Sequence, residues 1–182
     1  MSTWIETSSA RTFDLSDPQP EDICIDDIAH ALANLCRWTG HCRIFYSVAE
    51  HSIHVSHLVP AQDALWGLLH DAAEAYVGDV SSPLKAVLGT AYRVPYKQVE
   101  KAIKRHFNLG EFPDSVKVAD AQMLWHEKLQ LLSPRVKWER GDELEKLCAD
   151  VKLPVLQLWS PREAEEAFLQ VYEQLIWTGE IR

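Results

Sequence analysis

Between Gln62 and Tyr76 the residues Leu65, Leu68, Leu69, Ala72, Ala73 and Tyr76 recur at three- and four-residue spacing, and Gly78 closes the run. That period puts them on one broad face of a helix, and a face so broad must be mostly buried. The chain supplies helices to cover it. Ile28, Ala31, Leu32 and Leu35 precede Gly40, and Val48, Ser52, Val55 and Val59 precede Pro60. Tyr96, Val99, Ile103 and Phe107 run towards Gly110, and Val116, Ala119, Met123 and Leu124 follow a cap at Asp114 or Ser115. Gly141 and Asp142 open a short helix. Ser160-Pro161-Arg162-Glu163 is a capping box with proline at the first helical position, ahead of Ala164, Ala167, Phe168, Val171 and Leu175. Pro83, Gly89 and Pro95 should cut 79–95 into short helical pieces. Val151–Trp159 could be a strand on its own pattern. Pro18 and Pro20 exclude a helix from the opening, where Trp4, Ile5, Phe13 and Leu15 suggest a strand pair or packed arm. The expected fold is all-α, a helical bundle with a short irregular or β N-terminal arm.

With 182 residues, 47% of them hydrophobic and 25% charged, the chain can close a core and is far too apolar for a disordered segment. One domain over 1–182 is expected: an arm at 1–22, a core at 23–130 and a helical elaboration at 131–182. The net charge of −9 gives nothing to counterion release, so no duplex DNA binding is expected. The stretch 77–110 alone is net positive, which leaves room for a small phosphorylated ligand. There is no apolar run long enough to span a membrane, and MSTWIETSSAR lacks the pattern of a secretory signal. A soluble, cytoplasmic protein with no membrane partner is expected. Cys24, Cys36, Cys42 and Cys148 have no CxxC spacing and read as reduced, buried thiols.

Ionisable side chains interrupt the apolar helices at a few positions. In LLHDAAEAYVGD, residues 68–79, a continuous helix puts His70 and Glu74 on one face with Asp71 about 100° round. His51 lies in the apolar helix SVAEHS, and Asp120 lies between Val118, Ala119 and Met123 with only Lys117 nearby. The bland reading has His70 and Asp71 bonded to a neighbour and Glu74 solvated. The sharper one gathers two imidazoles and two carboxylates into a mixed nitrogen and oxygen site. Such a set suits manganese, cobalt, iron, nickel or magnesium better than a thiolate-selected metal. Spacing alone does not assemble it.

The set His51, His70-Asp71 and Asp120 resembles the H…HD…D signature of the HD-domain metal-dependent phosphohydrolases, which carry it on an all-helical core. The resemblance runs from Ile25 to Asp120 and is strongest through 43–85. It points to the small single-domain branch, which includes 5′-deoxynucleotidases and phage enzymes removing triphosphate from dATP. It implies an HD-domain helical bundle, with one divalent metal held by His51, His70, Asp71 and Asp120, and room for a second, substrate-associated Mg. It implies proton transfer by Glu74, an active-site position for Asp79, and contacts of Arg37 and Trp38 with phosphate and sugar. The gap from that pair to the first histidine looks one residue shorter here than in the family.

Arg37, Arg43 and Lys85 could offset charge on the phosphoryl oxygens, or Arg43 could pair with Glu50 or another acid. Trp38 could stack on a base or sugar. Lys97, Lys101, Lys104 and Arg105 form either a solvated helix face or an attractor for polyphosphate. The expected substrate is a deoxynucleotide attacked at the phosphorus next to C5′, in the cytoplasm or in a host cytoplasm if phage-encoded. Seven tryptophans, with Trp4, Trp159 and Trp177 towards the ends, suggest a homo-oligomer. The rival readings are a cyclic or guanosine polyphosphate hydrolase and a non-catalytic nucleotide-binding protein.

Overall fold

A computed structural model describes residues 2–177. Strands β1 (Trp4–Glu6) and β2 (Thr12–Asp14) pair antiparallel with Ile5 opposite Phe13. Phe13 is fully buried and its ring stacks on Tyr76 at 3.9 Å, which ties this arm to the core. The turn between the strands is clipped to α1 (Ile25–Asn34): Ser8 Oγ, Ser9 N and Ser9 Oγ donate to the Asp27 carboxylate at 2.7–2.8 Å. The remaining regular structure is helical: α2 (Val48–Leu58), α3 (Ala64–Leu69), α4 (Glu74–Val77), α5 (Ser82–Leu88), α6 (Thr90–His106), α7 (Asp114–Leu131), α8 (Gly141–Cys148) and α9 (Pro161–Trp177). No helix among the described residues is long and apolar enough to cross a membrane.

Helix α2 is the axis of the molecule. Ser47 caps it by accepting from Glu50 N at 3.0 Å, every residue from Val48 to Ser56 is buried, and α1, α3, α7 and α9 pack around it. Leu32, Ile53 and Leu68 are buried in the main core, each stabilising it by about 1.5–3 kcal/mol. The approach of α3 to α2 depends on a missing side chain. A Cβ on Gly67 would stand 2.7 Å from Ser56 Cα, so only glycine allows this distance.

The structure differs from the periodicity at several points. The helix expected over 62–76 is broken: α3 ends at Leu69, and the chain passes through a tight turn at 70–73 before α4. Pro95 does not stop a helix. It lies inside α6, where its missing N–H removes the bond due to the carbonyl of Ala91, an exposed residue. Asp114 and Ser115 do not cap α7, whose preceding residue is Pro113 with no side-chain cap. Leu124 is half-buried. The four cysteines are free, as expected, but half-buried rather than buried. The capping box forms, with Ser160 N and Glu163 Oε2 at 2.9 Å.

Residues 151–159 form no regular element and pair with no strand among the described residues, and Leu158 takes a left-handed φ of 58°. Glu50 takes the place of a partner strand. Its fully buried carboxylate accepts from Gln157 N, Leu158 N and Trp159 N at 2.6, 3.0 and 2.9 Å, fastening the segment to α2. Three N–H donors on one carboxylate are what makes its burial tolerable.

Candidate metal centre

Helix α2 brings in His51, the end of α3 brings in His70 and Asp71, and α7 brings in Asp120. The turn at 70–73 is tighter than an α-helix. Ala72 N bonds Leu69 O, Glu74 N bonds Asp71 O, and Ala75 N bonds Ala72 O, each spanning three residues. His70 Nδ1 donates to Gly67 O at 2.8 Å and so holds its ring against the end of α3. In such a turn residues three apart lie one above the other, so Asp71 rather than His70 aligns with Glu74.

The tautomers follow from the partners. A carbonyl oxygen can only accept, so His70 carries its hydrogen on Nδ1. His51 Nδ1 lies 2.6 Å from Oε1 of the buried Glu127, whose carboxyl is held low by Arg37 and His51 against the opposing effect of burial. It too carries the hydrogen on Nδ1. Both Nε2 lone pairs then face each other at 3.2 Å. Asp120 Oδ1 lies 3.2 Å from His51 Nε2, and Asp71 Oδ2 lies 3.2 Å from His70 Nε2 and 3.8 Å from His51 Nε2.

Electron-rich atoms this close need a positive charge between them. Without a cation the charge is a proton: burial opposes the imidazolium, but Asp71 and Asp120 outweigh it and push His70 up to about 9. His51 is raised as well, Glu127 and Asp120 overcoming burial and Arg37. Burial works against the Asp71 carboxylate, yet His70, His51 and Arg37 hold it well below the usual carboxylate range.

A divalent ion could supply that positive charge instead. Metal–ligand bonds of about 2.1 Å place neighbouring donors about 3 Å apart, and the closest donor pairs here lie at 3.2 Å. His51, His70 and Asp120 offer donor atoms that all lie within 4.8 Å of one another, and this group could hold a metal ion. Asp71, expected as a fourth member, stands beside this group with Oδ2 3.2 Å from His70 Nε2.

Glu127 was absent from the residues expected from sequence. It stands seven after Asp120, two turns along the same face of α7, and this spacing was the signal available. Its Oε2 accepts from Arg37 Nε at 2.8 Å, and Arg37 Nη1 lies 3.7 Å from Asp71 Oδ2. Asp71, Arg37, Glu127 and His51 thus form a closed chain of charges around the cluster. Arg37 is itself held by its backbone, Arg37 N donating to Tyr46 O at 2.9 Å. The next two residues, Trp38 (φ 61°) and Thr39 (φ 53°), adopt the left-handed conformation that non-glycine residues avoid. The Trp38 ring lies 5.6 Å from that of Trp138, and its Nε1 is buried without a hydrogen-bond partner.

Glu74 is only 2% exposed, so it is not the solvated carboxylate of the bland reading. Its Oε1 accepts from Lys85 Nζ at 2.9 Å, and its Oε2 is buried with no partner. Burial, with the charges of Asp71 and Asp79, pushes this carboxyl up to about 8, and Lys85 pulls against the shift. Asp79 follows Gly78, whose φ of 80° turns the chain out of α4. Its carboxyl is raised by burial and feels Arg37, Asp71 and Lys85.

Arg43 is not brought to this group by its hydrogen bonds. Its Nη2 donates to Gln130 O at 2.6 Å, and it lines a separate cavity of about 620 Å³ with Ile44, His126 and Leu153–Leu156. It does not pair with Glu50, which is committed to residues 157–159. His54 is buried beside Glu50 and Trp159, and His126 bonds Pro154 O at 2.8 Å.

Fold and site together define a helical protein in which two buried histidines and a half-exposed carboxylate from three segments are arranged so that they could share a cation. It belongs to the same family as a protein of Escherichia coli (strain K12) named "Uncharacterized protein YfdR", with 39% identity over 130 residues, 71% of this chain and 72% of that protein. It is also 41% identical over 115 residues to "Uncharacterized protein RCAP_rcc00048" of Rhodobacter capsulatus, covering 58% of this chain and 59% of that one. No family profile matches the sequence.

Proposed function

We propose that the protein is a metal-dependent phosphohydrolase of the HD-domain type, acting on deoxynucleotides at the phosphorus next to C5′. The observation that carries this reading is the facing pair of imidazole Nε2 atoms at 3.2 Å, each with its other nitrogen pinned and each beside a carboxylate oxygen. His51, His70, Asp71 and Asp120 would hold one divalent ion. Such an ion lowers the pKa of bound water and polarises a phosphoryl oxygen.

The chain's own groups support hydrolysis over simple binding. Glu74 presents a buried, unpartnered carboxyl oxygen at the end of the cluster, and its raised pKa lets it hold and release a proton near neutrality. Lys85 fixes the other oxygen of that carboxyl. Asp79 is a second acid within the field of Arg37 and Lys85. Arg37 uses Nε on Glu127, which leaves its Nη groups for a phosphoryl oxygen on the Asp71 side. Trp38 lies next in the chain, with an indole N–H still to be satisfied. Arg43 has no part in this reading.

The test is a panel of deoxynucleoside mono- and triphosphates incubated with protein and Mn, Co or Mg, with products separated by chromatography. Release of deoxynucleoside together with phosphate or triphosphate is expected. Absence of product with every substrate and metal would overturn the proposal.

A further inference from the structure

The positive stretch of the sequence folds around a second cavity that the roles above leave unused. It has a volume of about 300 Å³ and is lined by Lys85 from α5, by Gly89 between α5 and α6, and by Tyr92, Arg93, Tyr96 and Lys97 from the first turns of α6. The lining contains three cations and no carboxylate. Arg93 is exposed, and its guanidinium makes no hydrogen bond or ion pair among the described residues. Lys97 bridges Glu100 at 2.6 Å, but it does so at the surface, where such a pair is readily exchanged. The hydroxyl of Tyr92 is buried with no hydrogen-bond partner. Helix α6 starts at Thr90, after Gly89 and with no side-chain cap, so its first N–H groups add partial positive charge at one end of the lining.

We propose that this cavity is a subsite for the polyphosphate tail of the substrate, so that deoxynucleoside triphosphates are preferred over monophosphates. The proposal rests on the phosphohydrolase reading and names its substrate class. A tail of two phosphates concentrates negative charge in a narrow rod, which matches a small cavity ringed by cations. A nucleobase matches it less well. The Lys85 ammonium stands 5.6 Å and 5.7 Å from the Tyr92 and Tyr96 ring centroids and occupies the aromatic faces a base would need. Lys85 also joins the cavity to the metal cluster. Its ammonium holds Glu74 at 2.9 Å, so a phosphate drawn to it is placed beside the group assigned to proton transfer.

The probe is inorganic tripolyphosphate, titrated calorimetrically into metal-free protein with orthophosphate as the comparison. Tripolyphosphate should bind more tightly than orthophosphate. Its affinity should fall at least ~10-fold in the Arg93→Ala/Lys97→Ala double variant, both positions being exposed and harmless to the core, and should survive in His70→Ala. On nucleotides, the ratio of kcat/KM for a deoxynucleoside triphosphate to that for its monophosphate should drop ~10-fold in the double variant. Undiminished affinity in the double variant, or loss of binding in His70→Ala alone, would overturn the subsite. Tripolyphosphate binding that follows these variants in a protein inactive on every nucleotide would instead uphold the cavity and remove the enzymatic reading.

Discussion

Glu127 has no role in ordinary surface chemistry, because it is fully buried and both its oxygens are committed. One oxygen sets the tautomer of His51 and the other anchors Arg37. Glu127→Gln would keep an acceptor for only one of these donors and turn an N–H towards the other. Metal affinity measured by titration should therefore fall about 10–100-fold, the usual effect of removing a partner that orients a ligand histidine. Unchanged affinity would mean that His51 orients itself. Glu74→Gln separates a different role: metal content should persist while kcat falls roughly 10²–10⁴-fold. The same variant reports on the raised carboxyl. A buried acid whose pKa rises from 4.5 to about 8 binds its proton more tightly folded than unfolded. Its contribution to stability is thus lost as pH climbs through that interval. In chelator-treated samples the Tm of Glu74→Gln should gain on wild type between pH 5 and 8, in line with that interval. A constant Tm difference would show that Lys85 keeps the carboxylate ionised throughout. In the sequence each ionisable residue on an apolar face is conspicuous singly, but spacing does not join them, and only the H…HD…D resemblance names His51, His70, Asp71 and Asp120 as one set. Glu127 was hidden because α7 mixes polar and apolar residues on all sides, so one more acid does not stand out there.

At the level of elements, apolar spacing located the helices well and their ends poorly. It marks which residues are buried, and burial does not distinguish an α-helical turn from a tighter one. The break at 70–73 is the clearest case, because Leu68, Leu69, Ala72 and Ala73 remain buried across it. What breaks the helix is the His70 ring bonding Gly67 O and a run of three-residue hydrogen bonds, none of which is written in the hydrophobic pattern. The turn allows His70 to face His51, Asp71 to face both, and Glu74 to stack behind Asp71. Pro95 was misleading for a related reason: its lost bond falls on the carbonyl of an exposed residue, Ala91. The junction of α3 with α2 makes the dependence of the site on packing testable. Gly67→Ala drives a Cβ to 2.7 Å from Ser56 Cα, and both partners are backbone, so α3 has to move. A stability loss of about 1–3 kcal/mol is expected from overpacking, read by denaturant titration. Because His70 is bonded to the carbonyl of this same residue, metal affinity should fall with it. A destabilised protein with native metal affinity would show that the cluster adjusts independently of the α2–α3 contact.

The whole molecule carries more apolar surface than its charge suggests. Trp177 is 92% exposed, Val155 78%, Ile44 57% and Trp4 50%. Trp159, grouped with Trp4 and Trp177 on sequence grounds, behaves differently: it packs against the main core and faces His54. Ile44 and Val155 both line the mouth of the 620 Å³ cavity, where Leu153, Pro154 and Leu156 extend the apolar face. Large exposed apolar areas on a chain this size mark association surfaces more often than solvent-facing accidents. Two copies meeting through this face would bury it, and it shares no lining residue with the α5–α6 cavity. We therefore expect at least a dimer, with a mass by light scattering at or above twice 20.8 kDa at micromolar concentration. Ile44→Asp with Val155→Asp should return the mass to that of one chain, because both side chains are exposed and the charges would be buried unpaired only in the assembly. Trp4→Ser should leave the mass as it is. A wild-type protein of single-chain mass would refute association, and a dimer that survives the double aspartate substitution would move the contact to another surface, with Trp177 the next residue to change.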